Sequence, residues 1–246
     1  MNHVDWTPSR WLLALVVALL AALPLANAQV GDAASAELSC AASALGPEGA
    51  TLATAQDAGT ITYFGPAGDP VAIVDYVSYV DFEARRLRIE LSIGGTLLSV
   101  QQVTPDGGFL YSAETGTLEL PPSELARYEE AFVTGPTGLR LGAERDRAEV
   151  VPDGELAGIG GTLIELVTDG VEHAVLLDED CRFLAERTSD PDLGEVVTVG
   201  GAEEPLDGWW LPVRGELYAQ GTLFALIETT SGRVNEPIAD AVYERP

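Results

Sequence analysis

Apolar and polar residues alternate with a period of two along much of this chain, a pattern typical of β-strands that bury one face. The alternation is clearest between residues 86 and 93, where the aliphatic positions are Leu87, Ile89 and Leu91. Because successive side chains of a strand point to opposite sides, these three are expected on one face, with Arg86 and Arg88 on the other. Similar runs predict further strands at 61–64, 71–82, 96–103, 109–112, 162–168, 171–177, 181–187, 195–199, 210–220 and 222–229.

Two other segments have helical character. The Ala-rich stretch 32–58 predicts an N-terminal helix that is interrupted at Gly46-Pro47. An i, i+3, i+7 apolar stripe with Ser123 as a suitable N-cap predicts a short central helix. The residues of this stripe are Leu125, Tyr128 and Phe132.

The order of these elements predicts a mainly β (α+β) fold with one curved antiparallel sheet. Strands and helices do not alternate, which argues against a parallel sheet. Asp169-Gly170 lies between two predicted strands and is a strong hairpin signal. A large antiparallel sheet must close or be covered, so the N-terminal helix and the central helix are expected to cover its concave side.

The first 28 residues are predicted to be a cleaved secretory signal peptide. A polar start ends in Arg10, an apolar run spans 11–23, and Ala26-Asn27-Ala28 supplies the small residues that signal peptidase requires. An uncleaved amphipathic anchor is the alternative. Cleavage would leave residues 29–246 as a single domain in the periplasm or the extracellular space.

The cysteines and the charge of the chain bear on that location. Cys40 and Cys181 are the only two cysteines, and in an exported protein they are expected to form a disulfide; two buried free thiols are the alternative. With 39 acidic residues and 13 basic ones the net charge is −26, so the protein is expected to be repelled by nucleic acid and by anionic lipid head groups, and no nucleic acid is expected among its partners. The sequence contains no Lys, and this composition is also what a GC-rich genome would produce.

Catalytic constellations are mostly missing from the sequence. His173 is the single histidine after residue 28, and it is expected in the core or at its rim. No Ser stands in a G-x-S-x-G elbow, and the absence of Lys excludes a P-loop at Gly158-Ile159-Gly160-Gly161, which is expected to be a bend or bulge in the sheet. Asp178-Glu179-Asp180 is interpreted as an acidic turn rather than a calcium loop. We therefore expect no metal, no cofactor and no enzymatic activity, although a carboxylate pair of the glycosidase type stays open.

The Trp209-Trp210-Leu211-Pro212 segment is the most unusual apolar feature of the chain. Adjacent residues of a strand face opposite sides, so one of the two indole rings is expected to enter the concave side. A core contact and a ligand contact are equally compatible with this pattern.

The order of several short segments resembles the LolA-like family of periplasmic lipoprotein carriers. The resemblance runs over most of the chain after residue 28. It rests on the helix end Ala44-Leu45-Gly46, the stretch Arg86-Leu87-Arg88-Ile89-Glu90, the hairpin Asp106-Gly107-Gly108-Phe109, the segment Asp207-Gly208-Trp209-Trp210 and the tail from Asn235 to Tyr243.

That resemblance implies a half-closed antiparallel barrel whose concave apolar side takes acyl chains, and a lid-closing arginine at Arg88 or Arg86. Strand alternation places Arg88 opposite the three aliphatics, which conflicts with the lid-closing role. The acidic excess and the lack of a Met-rich surface also depart from a carrier.

The leading hypothesis is an exported, monomeric carrier or binding protein of the cell envelope. Its partners would be a lipid or lipoprotein acyl chain and an envelope protein. The ligand-binding residues are expected to be Leu87, Ile89, Leu91, Trp209 and Trp210. The alternatives are a structural or interaction protein whose sheet interior is filled by side chains, and a hydrolase that uses carboxylates alone.

Overall fold

A computed structural model describes residues 32–48, 50–122, 124–125, 128, 147–168, 171–190, 193–200, 205 and 207–245. The predicted signal peptide with its cleavage site, the predicted N-cap Ser123, Phe132 and the hairpin signal Asp169-Gly170 lie outside these residues. One α-helix, α1 (Asp32–Ala44), precedes the strands. The strands are β1 (Thr54–Phe64), β2 (Pro70–Asp81), β3 (Arg86–Ile93), β4 (Thr96–Thr104), β5 (Gly107–Ser112), β6 (Gly116–Glu119), β7 (Arg147–Leu156), β8 (Ile159–Thr168), β9 (Val171–Leu177), β10 (Phe183–Asp190), β11 (Gly194–Val199), β12 (Arg214–Ala219) and β13 (Thr222–Val234). A 3-10 helix (Asp240–Tyr243) follows β13.

All the strands belong to a single 13-stranded antiparallel sheet in the order β6-β5-β4-β3-β2-β1-β13-β12-β11-β10-β9-β8-β7. Two meanders, β1–β6 and β7–β13, are joined where the first strand pairs with the last, for example Ile61 with Ile227. Because β6 and β7 stand at opposite ends of this order, the curved sheet is not closed. The prediction of a mainly β fold with one curved antiparallel sheet and an N-terminal helix is confirmed.

One face of the sheet, which we call the inner face, carries two apolar clusters. The first spans β1–β3, β4 and β11–β13 and contains Ile61, Tyr76, Leu87, Leu217 and Ile227. The second lies under α1, where Leu38 of the helix packs with Ile164 of β8 and Val175 of β9. Burial of these side chains from water is the main stabilising contribution that this face makes.

The helix α1 is tied to the sheet by the disulfide between Cys40 and Cys181, whose Cα atoms are 5.7 Å apart. This confirms the predicted pairing and rules out two free thiols. The bond joins the helix to the turn between β9 and β10, so it holds α1 over the β7–β9 part of the inner face. Disulfides of this kind are typical of proteins that fold outside the cytoplasm.

Several predicted boundaries need correction. Helix was expected to resume after Gly46-Pro47, but Thr54–Ala58 belongs to β1, because pairing with β2 and β13 outweighs the weak helical preference of this stretch. The strand expected from residue 210 begins at Arg214, and the one expected to end at residue 229 continues to Val234.

The strands β6 and β7 were not predicted. β6 has only four residues, and β7 contains Pro152 at a register shift between Val151 and Gly154, so neither has a clean alternating pattern. The central helix lies mostly outside the described residues. Leu125 and Tyr128 are described, and both pack against the first inner cluster, as expected of a covering segment.

No helix in the described ranges combines the length and the apolar character needed to cross a membrane.

Candidate functional site

The inner face brings together four of the residues singled out from the sequence. Leu87, Ile89 and Leu91 project from β3 into the first inner cluster, and each is at most 5% exposed. In the register of the sheet Leu87 lies between Val80 and Val103, and Leu91 lies beside Tyr76. Trp209 belongs to the same cluster, so the three aliphatics and one indole contribute to one apolar lining.

The two tryptophans occupy different environments, and the ring that packs on the inner face is that of Trp209. Trp209 is 3% exposed and packs so closely on Gly46, just after α1, that a Cβ there would approach its Cε3 to 2.4 Å. Trp210 is partly exposed, and the Arg182 guanidinium stacks on its ring at 4.0 Å from the centroid. The backbone N–H of Trp210 donates to the carbonyl of Leu45 at 2.8 Å, so this residue anchors the end of the helix.

The apolar lining extends to solvent at the end of β3 and on the edge strand β6. Ile93 follows Leu91 on the inner face of β3 and is 50% exposed. On the edge strand β6, Leu118 pairs with Leu110 and is 57% exposed. Leu110 is itself in register with Gln101, which places both leucines on the inner face. Aliphatic side chains therefore continue from the buried cluster to an exposed rim.

A chain of hydrogen bonds crosses the inner face from β13 to β2. The hydroxyls of Tyr76 and Thr229 are 2.7 Å apart. Thr229 donates to Tyr76, and Tyr76 and Ser78 donate to the carboxylate of Asp57. Burial raises the pKa of Asp57, and these two hydrogen bonds partly offset that rise. Burial also raises the pKa of Tyr76, so its hydroxyl keeps its proton.

Close backbone approach at this point requires a glycine. Gly59 is in register with both Tyr76 and Thr229, at a bulge in the β1–β13 pairing. A Cβ on Gly59 would lie 1.9 Å from the carbonyl oxygen of Glu228, so any larger residue would force the strands apart.

A second polar contact joins the sheet to the segment after β6. Gln101 of β4 is fully buried and its amide nitrogen donates to the hydroxyl of Tyr128, which is also fully buried. Tyr128 thus places a polar contact inside the first inner cluster, beside Leu120 and Leu125.

Glu186 is an acidic residue of the inner face for which no hydrogen bond is found among the described residues. It projects from β10 between Val175 of β9 and Thr198 of β11, and it is 4% exposed. Its Oε2 atom is buried without a partner. Burial raises the pKa of Glu186 well above the ordinary value for glutamate, so the protonated form is favoured.

Arg88 lies on the opposite, outer face, with the C-terminal segment. It is 7% exposed, and its guanidinium donates to Glu90 at 2.7 Å, to Gln102 at 2.8 Å and to the carbonyl of Glu244 at 3.0 Å. Gln102 in turn donates to the carbonyl of Tyr243 at 2.6 Å. The lid-closing role implied by the resemblance is not what these contacts describe. Arg88 instead fastens the C-terminal segment to β3 and β4, because strand alternation points it away from α1.

Two further arginines strengthen this attachment of the C-terminal segment. Arg86 forms ion pairs with Asp81 and Asp240, both at 2.7 Å, and its guanidinium lies 4.4 Å from the centroid of the Tyr243 ring. Arg245 pairs with Glu119 of β6 at 2.7 Å.

The described residues offer little for metal binding. No group of three or more His, Cys, Asp or Glu side chains within them is placed to hold a metal ion. The Asp178 side chain accepts hydrogen bonds from the backbone N–H groups of Asp180 and Arg182, which accounts for this acidic turn. Gly158 lies in the turn between β7 and β8, and Gly160 and Gly161 belong to β8.

The buried polar residues of the inner face were missed in the sequence. Their signal is a polar residue at an inward position of an alternating strand, as Ser78 is between Tyr76 and Val80. In β10 the alternation is too weak to orient Glu186, because the strand reads Phe-Leu-Ala-Glu-Arg-Thr-Ser-Asp. Only the register with β9 and β11 assigns its face.

No model of a protein family matches this sequence, and no curated protein matches it either.

Proposed function

We propose that this protein is an exported binding protein that holds an apolar ligand, such as an acyl chain, against the inner face of its half-closed sheet. The observation that carries the proposal is the mixed lining of that face: an extensive apolar surface with a few buried polar groups, among them Ser78, Gln101 and Glu186. Binding sites for small apolar molecules have this composition. The role is non-enzymatic, and its place is the periplasm or the extracellular space.

The exposed rim supports a route to this face. Ile93, at the end of β3, and Leu118, on the edge strand β6, extend the lining to solvent at two places. Each methylene of an acyl chain that leaves water there contributes about 0.8 kcal/mol. The segment order that resembles the LolA-like carriers points to the same class of ligand.

A structural or interaction protein with a filled interior is the second candidate. It is favoured by the near-complete burial of Leu87 and Leu217 by other side chains of the chain, both at 0% exposed. Such packing is what a core without a ligand site would contain.

Titration with the neutral fluorescent probe N-phenyl-1-naphthylamine separates the two candidates. A binding protein will enhance the fluorescence of the probe saturably, and Ile93→Glu together with Leu118→Glu will weaken this binding about tenfold by placing charge on the route. The matched control is Val71→Glu with Ile73→Glu, two outer-face residues that are each 60% exposed. No saturable enhancement with the unmodified protein would exclude the binding function and favour the filled interior.

A further inference from the structure

The Oε2 atom of Glu186 is buried without a hydrogen-bonding partner among the described residues. It lies where the two inner clusters meet: Val175, in register on one side, packs with α1, and Leu217, in register with Thr198 on the other side, packs with Trp209. Buried polar groups in native proteins nearly always have partners. An unpartnered carboxyl inside a proposed binding surface therefore points to a ligand group that completes it.

The surroundings of Glu186 restrict the chemistry of that group. Two polar residues of the inner face lie on the strands beside it. His173 on β9 is half-buried, and Thr198 on β11 is in register with Glu186. On α1, the carboxylate of Glu37 lies 4.0 Å from the Cys181 sulfur. Val175, which is in register with Glu186, and Ile164, which is in register with Val175, are aliphatic. The site thus combines the carboxyl of Glu186 and the polar side chains of His173 and Thr198 with aliphatic walls suited to a hydrocarbon.

The charge of the whole protein favours a cation. The net charge of −26 attracts positively charged ligands and repels carboxylates and phosphates. A hydrogen bond between an ammonium and a carboxylate is roughly twice as strong as one between neutral groups. An amine head group would satisfy Glu186, whereas a fatty-acid head group would bring a second negative charge to it.

We propose that Glu186 anchors the head group of the ligand and that the ligand is a cationic amphiphile, an aliphatic chain that carries a primary amine. This inference rests on the proposed function, because the aliphatic chain is what the inner face would bind. Burial raises the pKa of Glu186 in the unliganded protein, and an ammonium group would offset that effect by stabilising the charged form.

Isothermal titration with decylamine, decanol and decanoate tests the proposal, because the three probes share one alkyl chain. The unmodified protein should bind decylamine about tenfold more tightly than decanol, and decanoate should bind most weakly. In Glu186→Gln the affinity for decylamine should fall about tenfold and that for decanol should stay unchanged. The control is Glu165→Gln, which removes the same charge from an exposed ion pair with Arg187 and should behave as the unmodified protein does.

Equal affinities for the three probes, tightest binding of decanoate, or an unaltered affinity of Glu186→Gln for decylamine would each overturn the anchor and leave the proposed function standing. If none of the probes binds, decanol included, the proposed function fails together with this inference. Because the net charge of −26 by itself favours decylamine over decanoate, the loss of decylamine affinity in the variant is what identifies the anchor. If Glu186→Gln folds poorly, Glu186→Met gives a second variant with an apolar side chain of similar length, and it should show the same loss.

Discussion

The two halves of the sheet surround a carboxyl group of the inner face in opposite ways. In the β1–β6 half, Asp57 accepts hydrogen bonds from Ser78 and Tyr76, and Tyr76 is itself supported by Thr229. In the β7–β11 half, Glu186 has no such partner among the described residues. Both groups lie on the inner face, but Asp57 is only partly buried while Glu186 is 4% exposed, so the more deeply buried carboxyl is the one without such partners. The hydrogen bonds of Asp57 stabilise the fold, whereas the burial of an unpartnered Glu186 does not contribute to its stability.

The halves also differ in how they are covered. The C-terminal segment fastens onto the outer face of the first half through Arg86, Arg88 and Gln102. The second half is covered on its inner face by α1, which the disulfide holds in place. The half with the unpartnered carboxyl is therefore the one with a covalently restrained cover. This arrangement suits a site that must persist while its ligand is absent.

The largest expected effect comes from removing the restraint on α1. The double variant Cys40→Ala with Cys181→Ala opens a loop of 141 residues and should lower the free energy of unfolding by about 5 kcal/mol in the chain-entropy model. Denaturant unfolding measures the loss. Hydrogen exchange should speed up in β7–β9 more than in β1–β3, and equal acceleration in both halves would contradict the local role of the disulfide.

Loss of the outer-face attachment should have the next largest effect. Arg88→Met keeps the aliphatic stem but removes three hydrogen bonds, which should cost about 2–3 kcal/mol in unfolding free energy. Arg214→Met is the control, because Arg214 pairs with Glu216 while 57% of its side chain is exposed, so its loss should cost less than about 1 kcal/mol. Limited proteolysis should release the C-terminal segment faster in Arg88→Met only, and similar stabilities of the two variants would contradict this attachment.

Removing the carboxylate of Asp57, which accepts hydrogen bonds from Ser78 and Tyr76, should be mildly destabilising. Asp57→Leu leaves the hydroxyls of Ser78 and Tyr76 without their acceptor, at a cost of about 1–2 kcal/mol. Asp57→Asn retains an acceptor oxygen and should recover part of this loss. Thermal unfolding of both variants measures the difference. An increase in stability in Asp57→Leu would remove the contrast with Glu186.

Much of this fold could be predicted from sequence because alternation is a local property. The bounds of β3 and β9 agree with those predicted from the pattern of residues, and the pairing of Cys40 with Cys181 followed from their number and the expectation of export. The same alternation also assigned Leu87 and Arg88 to opposite faces. Here it gave the better guide to Arg88 than the family resemblance did.

The parts that could not be predicted depend on long-range pairing. The junction of β1 with β13 brings Asp57 and Thr229 to one face, although they are far apart in the chain. Nothing local marks Glu186 as buried, since Arg187 follows it and makes an ordinary ion pair with Glu165 on the outer face. The choice between Trp209 and Trp210 likewise depended on Gly46 and Arg182, which sequence reasoning had no means of placing.

The smallest expected effect is a pH dependence that belongs to Glu186. Its pKa in the folded protein is raised above the unfolded value, so the folded state retains a proton that the unfolded chain loses as pH increases. The stabilising contribution is complete below the ordinary glutamate pKa and is lost as pH rises through the raised one, by no more than about 1.4 kcal/mol per pH unit. Glu186→Gln lacks this pH-dependent contribution. The unfolding free energy of the variant minus that of the unmodified protein should therefore increase with pH across that window. Urea unfolding at a series of pH values measures this difference, and Glu165→Gln should keep the slope of the unmodified protein. Parallel pH profiles for Glu186→Gln and the unmodified protein would mean that Glu186 is solvated or paired, and the contrast between the two halves would then disappear.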